Sequence, residues 1–308
     1  MNEKTVLKLG LPKGRMQAEV LRLMSDAGLP VRSDERDYRP RVGDQAGSPL
    51  YGSKAVEYEA KFLKPRNIVE MLETGSRDLG FAGADWVREL DADAVELLDT
   101  GLDPVRIVAA APDALAARML DGKAASLKIR LGRNPVLASE YENLSREWIA
   151  STIPEAVFVR SYGATEVFPP EDADIIVDNC ASGSTLKANG LSEVATIMAS
   201  TTRLYTSRSA LSDPAKKEAA ESLALLLRSV LEARRRVMVE VNVDADSLEA
   251  LVAILPCMRS PTISPLDGGK AFAVRVAAPR EGLAALLPEI KRRGGTDIVV
   301  AEFSQLVP

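Results

Sequence analysis

The chain has 308 residues, of which 46% are hydrophobic and 27% are charged, a composition typical of a globular protein with room for two or three domains. The net charge of -5 excludes the broad basic surface typical of nucleic-acid-binding proteins, so we expect no nucleic-acid partner. The chain contains no histidine, which excludes a Ser-His-Asp triad, an imidazole base and any histidine-containing metal site.

The cysteine content and the lengths of the apolar runs indicate in which cellular compartment the protein is expected. Cys180 and Cys257 are the only two cysteines, so no disulfide framework is expected and the cytoplasm is the predicted compartment. No apolar run approaches the length of a membrane span, and no signal peptide is expected ahead of the first strand. We therefore predict no membrane association.

The N-terminal segment predicts an anion site. Its pattern indicates a short buried strand over residues 6–11 and an amphipathic helix over residues 16–27, ended by Gly28. Between them, Lys13 and Arg15 place two cations and free backbone amides at a helix N-terminus, where anions bind. An ordinary solvated turn explains the same residues equally well.

The next segment is rich in arginine and in turns. Four arginines lie close together, at Arg32, Arg36, Arg39 and Arg41. A strand is predicted over residues 55–63, and Lys64-Pro65-Arg66-Asn67 is predicted to open a helix over residues 68–73. Farther along, Gly83 allows the backbone to approach a ligand, and Asp85 is expected either to cap the following helix or to contact that ligand.

A stretch from Asp174 to Leu191 predicts a phosphate cradle. It starts as an apolar strand, and its small-residue loop from Ala181 to Thr185 exposes backbone N–H groups where a helix begins. The hydroxyls of Ser184 and Thr185 add donors, and Asp178 could hold a ribose diol or a metal shell. Because the Gly-Lys-Ser/Thr ending of a Walker loop is missing, a sugar monophosphate suits the loop better than a triphosphate. A simple strand-to-helix turn is the competing interpretation.

The C-terminal part predicts a separate unit. A long helix over residues 214–236 precedes a strand–helix–strand–strand–helix–strand order, which is typical of a ferredoxin-like unit. The predicted pieces of this unit are 237–243, 247–255, 262–264, 272–278, 281–292 and 297–303. Strands predicted upstream of the long helix include 106–111, 135–141, 157–159, 194–198 and 203–205. The unit has no cluster of titratable residues, so we expect a regulatory or oligomerising role.

Three motifs resemble the ATP phosphoribosyltransferase family, whose members catalyse the first step of histidine biosynthesis. The motifs are Leu11-Pro12-Lys13-Gly14-Arg15, Thr185-Leu186-Lys187-Ala188-Asn189-Gly190-Leu191 and Ser260-Pro261-Thr262. The resemblance is to the long form of the family and covers essentially the whole chain. It implies an α/β fold with a two-lobed catalytic core resembling type II periplasmic binding proteins, plus a C-terminal ferredoxin-like regulatory domain.

The resemblance also implies domain boundaries and site residues. Catalytic lobe I is implied at 1–104 with 192–230, lobe II with the phosphoribosyl-diphosphate loop at 105–191, and the regulatory domain at 231–308. The residues implied in catalysis are Arg15, Arg36 and Lys64. The residues implied in ATP binding are Lys13, Gly14, Arg15, Gly83, Asp85 and Glu140. The residues implied in binding phosphoribosyl diphosphate are Asp178, Ala181, Ser182, Gly183, Ser184, Thr185 and Leu186. The residues implied in binding histidine as an allosteric inhibitor are Ser260, Thr262 and Leu266.

The implied reaction transfers phosphoribosyl from 5-phosphoribosyl 1-diphosphate to N1 of ATP, giving N1-phosphoribosyl-ATP and diphosphate. Adenine N1 attacks through a lone pair and carries no proton, so the step needs no strong general base, which suits a chain without histidine. Mg²⁺ is the implied cofactor, held mainly by substrate oxygens with no protein-specific ligand. Feedback inhibition by free histidine and a homo-oligomer, from dimer to hexamer, are also implied.

Four departures from the family pattern keep an alternative open. Lys64 and Asn67 stand where the family usually has an arginine and an acid, and Asn179 stands where it prefers an aliphatic residue. The spacing from Glu166 to Asp178 is shorter than in the family signature. None of these removes the phosphate loop, so an active enzyme is predicted. The alternative is a non-catalytic small-anion binding or sensing paralogue.

Overall fold

The computed structural model describes residues 4–34, 37–43, 56–120 and 132–307, and the chain divides into two units. The larger unit comprises Met1–Val20, Arg32–Val42 and Ala46–Ala220, and the smaller unit comprises Leu21–Val31, Gly43–Gln45 and Glu221–Pro308. Within the described residues, no helix is both long enough and apolar enough to cross a membrane.

Strands and helices alternate along most of the chain. The strands are β1 Thr5–Pro12, β2 Val31–Arg32, β3 Arg41–Val42, β4 Val56–Leu63, β5 Leu79–Gly83, β6 Ala94–Pro112, β7 Val136–Ser139, β8 Val157–Arg160, β9 Ile175–Cys180, β10 Leu191–Ser207, β11 Arg236–Asp244, β12 Thr262–Pro265, β13 Ala271–Pro279 and β14 Thr296–Glu302. The helices are α1 Gln17–Asp26, α2 Pro65–Glu73, α3 Ala84–Glu89, α4 Asp113–Arg118, α5 Glu142–Thr152, α6 Ser184–Ala188, α7 Arg208–Ser212, α8 Pro214–Arg235, α9 Leu248–Val252 and α10 Leu283–Arg292. This content confirms the prediction of a mixed α/β protein.

The larger unit contains an eight-stranded sheet in the order β4-β1-β5-β10-β6-β9-β7-β8. Strand β1 runs parallel to β4 and β5 in one group, and β7 runs parallel to β8 and β9 in the other. Between the groups lie β6 and β10, an antiparallel pair of 19 and 17 residues that we call the central ribbon. The sheet therefore consists of two parallel groups joined by two long strands.

Both parallel groups point their carboxyl ends at the middle of the central ribbon. The last residue of β5, Gly83, pairs with Thr202 of β10. The last residue of β9, Cys180, pairs with Arg106 of β6, which in turn pairs with Ala199 of β10. The two strand ends thus meet the ribbon between Ala199 and Thr202. Because ligands of open α/β sheets bind beyond the carboxyl ends of the strands, a site is expected at this meeting point.

Helix α2 shows how helices cover the sheet. Its apolar side chains Ile68, Val69 and Leu72 recur at helical spacing, so they share one face and pack with Ala82 and Tyr205 in a buried cluster. A further buried cluster involves β6, β7, β9 and α5 and includes Ile107, Ala109, Ala111, Leu137, Leu144, Ile149, Ile175 and Val177. The sheet is therefore held by apolar packing on both sides of the central ribbon.

The smaller unit confirms the prediction of a ferredoxin-like topology. Its sheet has the order β12-β13-β11-β14, and every neighbouring pair is antiparallel. Helices α9 and α10 follow β11 and β13, which gives the strand–helix–strand–strand–helix–strand order. Alternate residues of β11, from Val237 to Val243, are buried against Leu251 and Ile290 of these helices.

The main error of the sequence prediction concerns the central ribbon. The sequence predicts a strand over 106–111 and two strands over 194–198 and 203–205, whereas β6 and β10 are each continuous. The turn-type residues Gly101 and Asp103 take positive φ inside β6, and β10 passes through several register shifts. The hydrogen-bond ladder continues through these irregularities, which interrupt the apolar pattern without ending the strand.

Gly80 on β5 lies beside helix α2, and we predict that its replacement destabilises the larger unit. A Cβ at Gly80 would lie far inside contact distance of Ile68 Cγ2, so Gly80→Ala should lower the free energy of unfolding by about 1–3 kcal/mol through overpacking. Ile68→Leu removes that methyl group and keeps the side-chain volume. Urea denaturation should therefore find the double variant less destabilised than the sum of the single variants, and strict additivity would contradict the steric explanation.

Candidate functional site

A cavity of about 330 Å³ lies in the larger unit at the carboxyl end of β9. The whole predicted phosphoribosyl-diphosphate set lines it, namely Asp178 and the run from Ala181 to Leu186. Arg15 from the N-terminal turn and Glu166 complete the lining together with Asn179 and Cys180. The fold thus brings a cation from the first parallel group to the loop of the second.

Gly183 shapes the loop that follows β9. Its φ of +78° is in the left-handed region, which glycine adopts at little cost, and it immediately precedes α6. The hydroxyl oxygens of Ser182 and Ser184 lie 3.0 Å apart, and the side chain of Thr185 is exposed. Three hydroxyl groups therefore lie along a short exposed segment of the cavity wall.

The carboxylate of Asp178 lies among other acids. Its pKa is raised to about 6, chiefly by burial and also by the nearby charges of Glu166 and Glu140. The backbone N–H of Asn179 donates to Asp178 Oδ1 at 2.7 Å and opposes this shift in pKa, as does a hydrogen bond from Thr165. The Asn179 side chain also donates to Oδ1 through Nδ2, at 3.1 Å. Asp178 is therefore mostly ionised at neutral pH and mostly protonated a unit or more below its pKa.

The two cations of the N-terminal turn, Lys13 and Arg15, have different surroundings. Arg15 is exposed and lines the cavity, whereas Lys13 Nζ lies 3.5 Å from the ring centroid of Tyr38 in a cation–π contact. The backbone N–H of Lys13 donates to Leu63 O at 2.9 Å, and Gly14 adopts a positive φ of 79°. Tyr38 was not predicted from the sequence, although an aromatic residue among four arginines was a usable signal.

Lys64 and Gly83 lie at the ends of neighbouring elements. Lys64 is exposed and occupies the N-cap position of α2, without a capping side-chain hydrogen bond. Arg66, which the sequence offers as a substitute cation, pairs with Glu70 at 3.1 Å. A Cβ at Gly83 would clash with Asp85 Oδ1, so glycine is required there.

Asp85 does not cap helix α3, so that prediction is wrong. The N-cap is Gly83, and Asp85 lies inside the first turn as a residue that is 3% exposed. Its oxygens accept hydrogen bonds from Ser200 Oγ at 2.6 Å and from Tyr141 OH at 2.8 Å. Asp85 therefore accepts hydrogen bonds from side chains distant in sequence, which no local pattern reveals, and does not accept them from the backbone amides at the helix end.

Glu140 belongs to the predicted ATP-binding set and Arg36 to the predicted catalytic set, whereas no protein-specific ligand for a metal was predicted. Glu140 directly follows β7, is half-buried, and raises the pKa of Asp178 through its charge. Arg36 lies outside the described residues. Across the described ranges, no group of three or more His, Cys, Asp or Glu side chains is arranged to hold a metal ion.

The residues predicted to bind histidine lie in the smaller unit. Ser260 and Thr262 are exposed, and Thr262 begins the edge strand β12. The backbone N–H of Leu266 donates to Ala271 O at 2.8 Å, which closes the turn between β12 and β13. Cys257, a short distance upstream, is half-buried with Sγ 3.4 Å from Arg259 O.

An ion pair behind the loop that follows β9 was not predicted from the sequence. Arg106 of β6 donates to both carboxylate oxygens of Glu193 on β10, at 2.5 and 2.6 Å, and this pairing lowers the pKa of Glu193. Cys180 Sγ lies 3.3 Å from the same carboxylate, and burial raises the pKa of its thiol. The sequence feature that could have indicated this ion pair is the single arginine, Arg106, inside an otherwise apolar strand. The pair fixes the end of β9, from which the loop starts.

Two family models match the chain, and curated relatives match nearly all of it. The model described as HisG: ATP phosphoribosyltransferase matches residues 64–229, and the model described as HisG, C-terminal domain matches residues 233–305. The ATP phosphoribosyltransferase of Chlorobium luteolum is 34% identical over 311 residues, covering 99% of this chain and 99% of its own. That of Pelotomaculum thermopropionicum is 34% identical over 307 residues, covering 98% of this chain and 99% of its own.

A solved structure shares the fold. The ATP phosphoribosyl transferase (HisG:HisZ) complex from Thermotoga maritima aligns with a TM-score of 0.58 at 21% identity, covering 74% of this chain and 98% of that chain. At this identity the likeness shows the fold alone. The relatives at 34% identity extend over almost the whole length of both sequences. On this evidence, the chain belongs to the ATP phosphoribosyltransferase family.

Proposed function

We infer that the protein transfers phosphoribosyl from 5-phosphoribosyl 1-diphosphate to N1 of ATP, the first step of histidine biosynthesis. The observation that carries this function is the cavity in which Arg15 meets Asp178 and the hydroxyl-rich loop. A cation, a ribose-binding acid and a phosphate loop are what this pair of substrates requires. The non-catalytic alternative, suggested by Lys64 and Asn67, is not favoured, because the relatives matched over the full length are named as the enzyme.

The proposed roles divide the cavity between the substrates. The loop from Ala181 to Leu186 binds the 5-phosphate, and Asp178 accepts hydrogen bonds from the ribose diol. Arg15, Arg36 and Lys64 stabilise the pyrophosphate as it leaves. On the ATP side the proposed contacts are Lys13, Gly14, Arg15, Gly83 and Glu140. Asp85, which the sequence also predicts to bind ATP, is left out of these contacts because it is buried and its carboxylate already has two hydrogen-bond partners.

Catalysis in this proposal is mainly a matter of alignment and charge. Adenine N1 displaces pyrophosphate from C1 of the ribose through its lone pair, so the chain must orient two anionic substrates and stabilise the cationic ribosyl centre. Mg²⁺ suits such a cavity, because pyrophosphate oxygens are the hard ligands it prefers and two carboxylates, Asp178 and Glu166, lie nearby. When bound, it would neutralise part of the pyrophosphate charge.

The remaining parts of the proposal concern organisation and control. Lobe I is assigned to residues 1–104 with 192–230, lobe II to 105–191, and a regulatory domain to 231–308. We propose that free histidine inhibits the enzyme through Ser260, Thr262 and Leu266, that the chain forms a homo-oligomer from dimer to hexamer, and that it works in the cytoplasm. The match of the C-terminal family model to residues 233–305 supports the assignment of a separate domain to this part of the chain.

The direct test is an absorbance assay for N1-phosphoribosyl-ATP. The chain is mixed with ATP, phosphoribosyl diphosphate and Mg²⁺, and product is expected only when all three are present. Chromatography of the product identifies the adduct. Absence of turnover, with the chain folded and both substrates intact, would overturn the proposed activity.

Thr185→Ala should weaken phosphoribosyl diphosphate binding far more than ATP binding. The variant removes a hydroxyl donor to a charged phosphate, which is worth about 1.5–3 kcal/mol, or roughly ten- to a hundredfold in KM. Steady-state KM values for both substrates measure the effect. Thr152→Ala, at the exposed end of α5, is the matched control. Equal losses for both substrates would count against this role of the loop.

The affinity for phosphoribosyl diphosphate should fall as the pH falls through about 6, the pKa of Asp178. Protonation removes the charged acceptor for the ribose hydroxyls, so KM should rise by up to about tenfold per pH unit below that value. The substrate's own phosphate also titrates near pH 6, so Asp178→Asn is the control. A pH profile that is the same in both proteins would contradict the role of Asp178.

Histidine should inhibit the full chain, and Thr262→Ala should raise the concentration needed for half-inhibition. Loss of one hydroxyl hydrogen bond corresponds to roughly a two- to tenfold change. Turnover measured against added histidine gives the values. Thr296→Ala, on the opposite edge strand of the same sheet, should leave inhibition unchanged. If histidine has no effect on the parent chain, the regulatory proposal fails while the catalytic one stands.

A further inference from the structure

A carboxylate lies against the loop that follows β9. Arg106 donates to both carboxylate oxygens of Glu193, at 2.5 and 2.6 Å, and the Cys180 thiol donates to Glu193 Oε1 at 3.3 Å. A Cβ built on Gly183 would lie 3.8 Å from the same Oε1, which is an ordinary contact distance. The Glu193 carboxylate is therefore an immediate neighbour of the loop backbone.

This carboxylate and the candidate site lie on opposite sides of the loop. Gly183 and Leu186 line both the candidate site and a second cavity of about 320 Å³. Glu193 lines the second cavity and does not line the first. A ligand held by the loop in the candidate site therefore has the Glu193 carboxylate on the far side of the backbone.

The position of this carboxylate matters because the candidate site is already acidic. Asp178 and Glu166 line its cavity, and Arg15 is the one cation in the part of the cavity wall that the structure describes. A phosphate bound by the loop would face the charge of Glu193 as well. Like charges at this range repel each other, so an unbalanced carboxylate here would weaken the binding of an anion.

Arg106 is placed to balance this charge. Its planar guanidinium contacts both oxygens of Glu193, a two-pronged arrangement that keeps the opposite charges together. Among the described residues, no other cation forms an ion pair with Glu193. Both side chains are partly exposed, and ion pairs at such positions contribute little to stability. The main effect of the pair is therefore expected on the electric field at the loop.

We propose that Arg106 is a positioning residue for phosphoribosyl diphosphate, which acts through Glu193 by holding and neutralising the carboxylate behind the loop. The inference rests on the proposed function, because it takes this loop as the element that binds the 5-phosphate. Glu193 fastens the end of β9 by accepting from the Cys180 thiol. Arg106 removes the repulsion that this arrangement would otherwise impose on the ligand.

The experiment compares KM for both substrates in Arg106→Gln, Glu193→Gln and the double variant. Arg106→Gln leaves the carboxylate unbalanced, so KM for phosphoribosyl diphosphate should rise roughly three- to tenfold, with a smaller change for ATP. Glu193→Gln keeps an acceptor oxygen and removes the negative charge, so the same KM should stay unchanged or fall. The double variant has neither charge and should return close to the parent value.

Added salt provides a second readout, which a purely structural role of the pair would not change. Raising KCl to about 0.5 M shortens the distance over which charges act severalfold. The ratio of KM for phosphoribosyl diphosphate between Arg106→Gln and the parent should therefore fall toward one. The ratio is compared because salt also changes the KM of the parent.

Two further variants serve as controls. Arg106→Lys keeps the positive charge and should stay closer to the parent than Arg106→Gln. Arg133→Gln breaks a matched pair at the opposite end of β9, where Arg133 donates to both oxygens of Asp174 at 2.6 and 2.9 Å. It should leave both KM values nearly unchanged. Melting temperatures confirm that each variant is folded, and if Arg106→Gln is not, Glu193→Gln still tests the sign of the effect.

Three results would overturn the inference and leave the proposed function intact. The first is an unchanged KM for phosphoribosyl diphosphate in Arg106→Gln. The second is a rise in this KM in both single variants without recovery in the double variant, which indicates a structural role or a direct contact of Arg106 with the ligand. The third is a raised KM ratio that does not respond to salt. No turnover by the parent chain overturns the proposed function itself, and this inference with it.

Discussion

The antiparallel pairing of β6 with β10 is the constraint on which the candidate site depends. Each of these long strands leaves one parallel group and enters the other, so the ribbon fixes how the two groups face each other. Its register brings the carboxyl ends of β5 and β9 to the same short stretch. The turn after β1, which carries Arg15, and the loop after β9 can share a cavity only because of this register. The irregularities in the ribbon are consistent with this role, since register shifts bend and twist a ladder without breaking it.

The candidate site places the acidic side chains of Asp178 and Glu166 in one cavity with Arg15, in a chain whose net charge is -5. Burial, followed by the nearby charges of Glu166 and Glu140, raises the pKa of Asp178. Arg15 is the cation that the described cavity wall contributes. Carboxylates accept hydrogen bonds from hydroxyl groups and repel simple anions, which is the physical reason for proposing a ligand that carries a diol beside a phosphate.

Local sequence patterns were enough to predict most elements and the loop between β9 and α6, but they did not reveal the tertiary partners of single side chains. The loop after β9 was predictable because small residues, hydroxyls and an apolar strand are contiguous in sequence. The partners of Asp85 were not, because Tyr141 and Ser200 lie far away along the chain and no periodicity connects them. The same holds for Arg106 and Glu193. The continuity of β6 was missed because Gly101 and Asp103 at positive φ resemble a strand end when only the sequence is considered, and that of β10 because its register shifts interrupt the apolar pattern.

The two cysteines differ in a way that has a practical use. Cys180 is buried beside Glu193, and the raised pKa of its thiol keeps it protonated and poorly nucleophilic. Cys257 is only half-buried and lies just before Ser260 in the smaller unit. A maleimide fluorophore will therefore attach selectively at Cys257 in the unmodified chain. Such a label reports on the segment around Thr262 by fluorescence, without any engineered cysteine and without disturbing the loop after β9.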